Sequence, residues 1–275
     1  MPVTTRPRTT DLPPVPGQPG MLLRAFEYWV AQYRRTWRGT AISTVLEPLG
    51  FLAAMGFGLG LLVDRGSGAD SLGGVGYLEF IAPGLLAATT MQAAAFESTY
   101  PVMGAIRWHR TYFAMLATPL RVVDVLAGHL LFVACRLALA ASVFLAIMAV
   151  FGAVASPWGV LAMPAAVLTG LAFAPAIFAF AATIENDSGF AMLFRFGIMP
   201  MFLFSGTFFP IDQLPDWLEP AAWVVPLWHG VDLCRDLALG QPSWGSAAVH
   251  VAYLLAWLVG GYLLARRTFT KRLVT

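Results

Sequence analysis

The sequence predicts an all-α membrane protein with six transmembrane helices, and three observations lead to that prediction. The 275 residues are 58% hydrophobic and only 12% charged, with a mean hydropathy of +0.70. A soluble protein carries about 25% charged residues, so this chain has too little polar surface to cover a water-soluble particle. Apolar stretches long enough to cross a bilayer recur along the chain, and basic residues concentrate in alternate loops between them.

Two segments precede the first apolar stretch. Residues 1–20 are rich in proline and have no apolar core, which predicts a disordered cytoplasmic tail and argues against a cleaved signal peptide. Residues 21–38 combine an apolar stripe at helical spacing with flanking arginines and aromatic rings. That composition predicts an amphipathic helix lying in the membrane interface, and an ordinary soluble helix is the alternative.

Six hydrophobic stretches follow, each long enough for a membrane-spanning helix. Basic residues cluster before the first, between the second and third, and after the sixth, whereas Arg65 and Arg235 lie on the opposite side. Because basic loops stay in the cytoplasm, both termini are expected there, with residues 267–275 as a tail, in a bacterial cytoplasmic membrane. The predicted spans are about 40–63, 80–102, 122–150, 160–184, 190–209 and 247–265.

The sequence shows no apparatus for catalysis or metal binding. It contains neither a G-x-x-x-x-G-K-[ST] nucleotide-binding loop nor a G-x-S-x-G nucleophile elbow. The net charge of +2 does not favour nucleic acid as a partner. The histidines and cysteines are too widely spaced for a zinc site or a disulfide framework: His109, His129, His229, His250, Cys135 and Cys234. We therefore expect a protein that is not itself an enzyme.

Charged residues inside the predicted spans are candidate functional residues, since each costs about 3 kcal/mol or more if it faces lipid. These are Glu47, Glu97, Arg136 and Arg195. Pairing of the two glutamates with Arg136 or Arg195 is the favoured interpretation. Ion-coupled transport through the same carboxylates is the alternative.

The first long cytoplasmic loop, residues 104–121, contains a cationic stretch followed by apolar residues at positions i, i+3 and i+4. This pattern predicts a short amphipathic helix that Pro119 ends. Such a helix suits docking into a groove of a soluble partner, and a basic anchor that touches only lipid is the alternative. The candidate docking residues are Arg107, Trp108, His109, Arg110, Phe113 and Leu116.

The external segment between the last two spans is half apolar and interrupted by glycine and proline. These features predict re-entrant or interfacial helices that cap the bundle. Anchoring of tryptophans at the membrane interface and a direct role with substrate are both open for this segment. Its candidate residues are Phe209, Pro210, Asp212, Leu214, Pro215, Trp217, His229 and Asp232.

Four stretches together resemble the permease subunit of ABC-2 type exporters, in the branch of nodulation protein J and daunorubicin-exporter permeases. They occur in the order and at the spacing of that family, so the resemblance covers nearly the whole chain beyond Met21. The stretches are residues 77–86, 110–120, 206–215 and 226–235.

The resemblance implies roles that composition and spacing do not establish. It implies a transmembrane domain over residues 40–266, a coupling helix at about 104–117 and an external cap at about 211–239. It implies that two permeases, copies or paralogues, pair in the membrane on two separate ATP-binding subunits. ATP and Mg²⁺ would then bind the partner subunits, with no cofactor in this chain, and the substrate would be an amphipathic drug or a lipid-linked or glycosylated compound.

Overall fold

The computed structural model describes residues 18–60, 75–213, 215 and 219–274, and it shows helices without any strand in those ranges. Short π-helical segments interrupt or extend the α-helices at Ala54–Gly60, Gly104–Trp108 and Leu193–Ile198. The α-helices, numbered α1 to α11 in chain order, are Gln18–Ala53, Tyr77–Ser98, Tyr100–Met103, Thr111–Leu116, Val122–Val150, Ala162–Thr183, Ser188–Met192, Met199–Phe204, Glu219–Val224, Pro226–Leu239 and Trp244–Leu273.

Four helical stretches in the described ranges are long and apolar enough to cross a membrane. They are Gly20–Gly56, Val122–Val150, Pro157–Thr183 and Trp244–Leu273. The apolar stretch Ser188–Phe204, where the fifth span is predicted, is shorter and is divided by a π-helical segment. The second predicted span corresponds to α2, which has 22 residues and contains Pro83.

Helix α1 runs without a break from Gln18 to Ala53, through both the predicted interface helix and the start of the first predicted span. Continuity follows because no proline occurs after the first turn until Pro48, so the backbone hydrogen bonds continue. The helix begins within the segment expected to be a disordered tail, although residues 1–17 and 61–74 lie outside the described ranges. At the other end, α11 continues to Leu273, so most of the expected C-terminal tail is helical.

Helix α6 lies at the centre of the bundle, packed against α2, α10 and α11, while α1 packs mainly against α5. Small residues permit these close approaches. A Cβ added at Gly128 of α5 would lie 2.6 Å from the Cβ of Ala25 on α1. A Cβ added at Gly261 of α11 would lie 3.0 Å from the backbone nitrogen of Ala176 on α6. Glycine therefore sets the helix spacing at both crossings.

Candidate functional site

The loop predicted to dock a partner is divided at Arg110, which adopts the left-handed conformation at φ 51°. The π-helical segment Gly104–Trp108 precedes this break, and α4 follows it. The side chains of Arg107, Trp108, His109 and Arg110 are exposed, with Trp108 60% accessible. The loop thus presents a basic and aromatic surface, and its helix is shorter than the coupling helix at about 104–117 that the resemblance implies.

Helix α4 buries a different face from the one that its spacing predicts. Tyr112 and Met115 are buried, whereas Phe113 and Leu116 are only partly buried. Arg110 lies over the ring of Phe113, with 5.2 Å from its guanidinium carbon to the ring centroid. Packing against the bundle determines which face is buried here, and the pattern of apolar residues alone does not reveal it.

Tyr112 connects the loop to the bundle. Its hydroxyl lies 2.6 Å from Nδ1 of His129 on α5, and its ring contacts Trp29 of α1 and Phe269 of α11. Trp29 in turn stacks on His129, with a centroid separation of 3.7 Å. Burial raises the pKa of the Tyr112 phenol well above its usual value, so the phenol remains a neutral hydrogen-bonding group.

Two of the charged residues predicted inside the spans form an ion pair. Arg136 of α5 donates from Nε and Nη2 to a single oxygen of Glu97, at 3.0 and 2.7 Å. The guanidinium also lies over the ring of Tyr33, 4.3 Å from its centroid. The exposed Arg195 makes no ion pair with any residue that the structure describes.

The ion pair lines a cleft of about 260 Å³ between α1, α2 and α5. Glu47 and Thr44 of α1 and Thr89 of α2 add polar groups to its wall, and Phe96 and Phe144 add apolar surface. A cleft with both kinds of lining can hold a molecule that has a polar and an apolar part.

The segment predicted to be external forms a 3₁₀ turn at Ile211–Gln213, followed by α9 and α10. Of its predicted residues, Leu214 and Trp217 lie outside the described ranges, and the exposed Asp212 lies in the turn. Arg235 of α10 holds this segment against the bundle by donating to the carbonyl oxygens of Phe80 and Gly206, at 3.2 and 2.6 Å.

His229 and Asp232 both contact His250, the residue of α11 that the sequence does not connect with them. The Nδ1 atoms of the two histidines are 2.8 Å apart, and Nε2 of His250 lies 3.2 Å from Oδ2 of Asp232. Nε2 of His229 lies 2.9 Å from the carbonyl oxygen of Trp223. Twenty-one positions separate the histidines, so only the packing of α10 on α11 brings them together.

A bundle of helices long and apolar enough to cross a membrane indicates a membrane-embedded protein, and comparison with known proteins identifies its family. Residues 24–239 match the model of the ABC-2 type transporter family. The chain belongs to the ABC-2 type transporter family.

Relatives in rhizobia share most of their length with this chain. It is 34% identical to nodulation protein J of Rhizobium leguminosarum bv. trifolii over 90% of this chain and 94% of that protein. It is 32% identical to nodulation protein J of Rhizobium leguminosarum bv. viciae over 90% and 95% of the two chains. The nodulation protein J of Azorhizobium caulinodans is more distant, at 27% identity over 76% of this chain and 83% of the relative.

Proposed function

We propose that this chain is the permease of an ATP-binding-cassette exporter of the bacterial cytoplasmic membrane. It carries an amphipathic substrate, such as a drug or a lipid-linked or glycosylated compound, out of the cell. ATP hydrolysis on a separate subunit drives the transport.

The observation that carries this proposal is the exposed loop at residues 104–117 and its attachment at Tyr112. The loop offers Arg107, Trp108 and Arg110 to a soluble partner, while Tyr112 contacts α1, α5 and α11. Arg107 also donates to the backbone carbonyl of Glu185, in the next turn at the same end of the bundle. Pressure on the loop would therefore reach three long helices through packed aromatic rings.

The proposed assembly contains two permeases, copies or paralogues, on two ATP-binding subunits. Helix α1 supports pairing in the membrane, because Ile42 and Leu46 are exposed one turn apart, and Glu47, on the neighbouring face that lines the cleft, is exposed as well. A glutamate facing lipid is costly, and a second permease or a polar substrate would shield it. In this assembly the chain crosses the membrane six times, with both termini in the cytoplasm and α9 and α10 as an external re-entrant cap.

The cleft between α1, α2 and α5 supports an amphipathic substrate. Glu97 accepts both hydrogen bonds from Arg136 through one of its oxygens. Among the described residues, the second oxygen of Glu97 and Nη1 of Arg136 have no hydrogen-bond partner. A hydroxyl or amine of a polar head group would satisfy them, while Phe96 and Phe144 would contact an apolar chain.

Co-purification with the ATP-binding subunit tests the proposal. Simultaneous R107A, W108A and R110A substitutions should abolish recovery of the ATPase with the permease. The control is the triple variant R34A, W37A and R38A, which removes the same residue types from exposed positions of α1. It should retain the ATPase.

Two results would contradict this function. Full recovery of the ATPase by the loop variant would remove the coupling role of residues 107–110. Transport by the purified permease alone, driven by a proton or sodium gradient, would instead establish the ion-coupled transporter that the intramembrane carboxylates also permit.

A further inference from the structure

The external junction of α9, α10 and α11 contains three polar contacts whose protons can be counted. The carbonyl oxygen of Trp223 can only accept, so Nε2 of His229 must carry a proton. The two Nδ1 atoms, 2.8 Å apart, need one proton between them. The contact of Nε2 of His250 with Asp232 needs another, on the nitrogen or on the carboxyl oxygen. The three contacts therefore require three protons.

Neutral histidines and an ionised aspartate supply one proton too few. Each neutral imidazole carries one N–H, and a carboxylate carries none, so the separate groups bring two protons to three contacts. Without the third proton, one contact would place two lone pairs against each other in a site where both histidines are more than nine-tenths buried. Such a contact is unfavourable because buried polar atoms need complementary partners.

The surrounding groups indicate where the additional proton lies. The pKa of His229 is lowered, mainly by burial and further by the charge of His250. The Trp223 carbonyl and Asp232 oppose this effect without reversing it, so His229 is the neutral histidine of the pair. A neutral His229 that donates to Trp223 must accept at Nδ1 from Nδ1–H of His250. The remaining proton then lies between Nε2 of His250 and Oδ2 of Asp232.

The close approach of the two histidines distinguishes a proton from a metal ion. Two imidazole nitrogens bound to one tetrahedral Zn²⁺, at about 2.0–2.1 Å each, would be about 3.3 Å apart. The observed 2.8 Å is the length of a hydrogen bond. Tyr253 stacks on His229 and donates its hydroxyl proton to the Val224 carbonyl, which closes the site from the α11 side.

We propose that His229, His250 and Asp232 form an external proton-binding site that fastens α9 and α10 to α11. Above the ordinary imidazole pKa of about 6.5, the fastened state binds one proton more than the separated groups do, so the attachment weakens as the pH rises from there. The site thereby makes the attachment of the proposed cap sensitive to external pH.

Other ionisable groups act on this junction and must be separated from it. Asp236 lies one turn further along α10, and burial together with the charge of Asp232 raises its pKa to about 6, against the opposing effects of His250 and Arg235. Asp236 would also lose a proton within the range tested. Its substitution is therefore the matched control.

The test is hydrogen exchange of the full-length permease in lipid nanodiscs from pH 5 to pH 9, with times corrected for the intrinsic exchange rate. In the wild type, the opening equilibrium of α10 should rise by up to about tenfold per pH unit above about pH 6.5, where the separated histidines are neutral and opening releases one proton, until the fastened site has itself lost that proton. In D232N the asparagine amide donates permanently to His250 Nε2, so opening should not depend on this proton. D236N should keep the wild-type slope above about pH 7, where Asp236 is already ionised.

The outcomes separate clearly. The same pH slope in D232N and wild type would overturn the proposal, as would a flat wild-type profile. Loss of the slope in D236N alone would assign the titration to Asp236. A second measurement needs no variant: in ¹⁵N-histidine spectra of the wild type, the Nε2 signal of His250 should move with pH over the range in which exchange changes. A signal that does not move would also overturn the site.

Discussion

A single methyl group added where α10 crosses α6 tests the packing of these two helices. A Cβ added at Gly230 of α10 would lie 2.1 Å from Oγ1, 2.4 Å from Cγ2 and 2.8 Å from Cβ of Thr169. Rotation of the threonine side chain can move Oγ1 and Cγ2, but it leaves Cβ in place. The two helices must therefore separate in G230A.

The cost of that separation follows from the contact distances. Carbon atoms pack favourably at about 3.5–4.0 Å, so the remaining contact at 2.8 Å requires a shift of roughly 0.7 Å or more. Overpacking of a core costs about 1–3 kcal/mol, and we expect the upper end here because the backbone must move. At about 2–4 °C per kcal/mol, the midpoint of thermal unfolding should fall by roughly 6–12 °C.

The assay is thermal denaturation in nanodiscs, followed by the fraction of monodisperse protein. G245A is the matched control, because nothing lies within 4 Å of a Cβ added there. Thr169→Gly removes all three atoms, including Cβ, so G230A should cost little stability when it is added to T169G, which is a coupling between neighbours. A midpoint for G230A within about 1 °C of wild type would refute the packing argument, as would a cost of G230A in the T169G background as large as in the wild type.

Two further predictions concern the candidate functional sites. Tyr112→Phe removes the hydroxyl that contacts buried His129, so the free energy of unfolding should fall by about 1–3 kcal/mol, measured by thermal denaturation, and unchanged stability would contradict the contact. Arg136→Leu leaves Glu97 without its cation and should destabilise the protein by about 1–3 kcal/mol, less than for a fully buried pair because both side chains remain partly accessible. Adding Glu97→Leu should restore most of that stability in the same assay, and a double variant less stable than the single one would contradict the pairing.

The length of an apolar stretch predicts a helix correctly where a proline or a glycine marks each of its ends. The third predicted span coincides with α5 at Val122–Val150, because Pro119 precedes it and Gly152, in the left-handed conformation, follows it. The fifth predicted span, 190–209, agrees less well with the structure, since residues 193–198 are π-helical and the apolar stretch ends at Phe204. Apolar composition reports burial or contact with lipid, but it does not specify the hydrogen-bond register within a helix.

The candidate sites show even more clearly what the sequence pattern leaves out, namely which residues are in contact. The sequence identifies Arg136 and Glu97 individually, because charge in an apolar span is conspicuous, but it leaves their pairing open. Tyr112 and His250 give no comparable signal. Their importance arises from contacts with residues far away in the chain, and a periodic pattern carries no information about such contacts.

Helix α11 gives these separate contacts a common physical basis. Near one end, Phe269 packs on Tyr112 of the exposed basic loop, and near the other, His250 contacts His229 of α10. The two residues are 19 positions apart, and at a rise of about 1.5 Å per residue this distance is roughly 28 Å, close to the thickness of the hydrocarbon core. Because α11 is continuous from Trp244 to Leu273, a shift of this helix along its axis displaces both contacts together. The basic loop and the segment that contains α10, which are distinct motifs in the sequence, are therefore attached to the same helix.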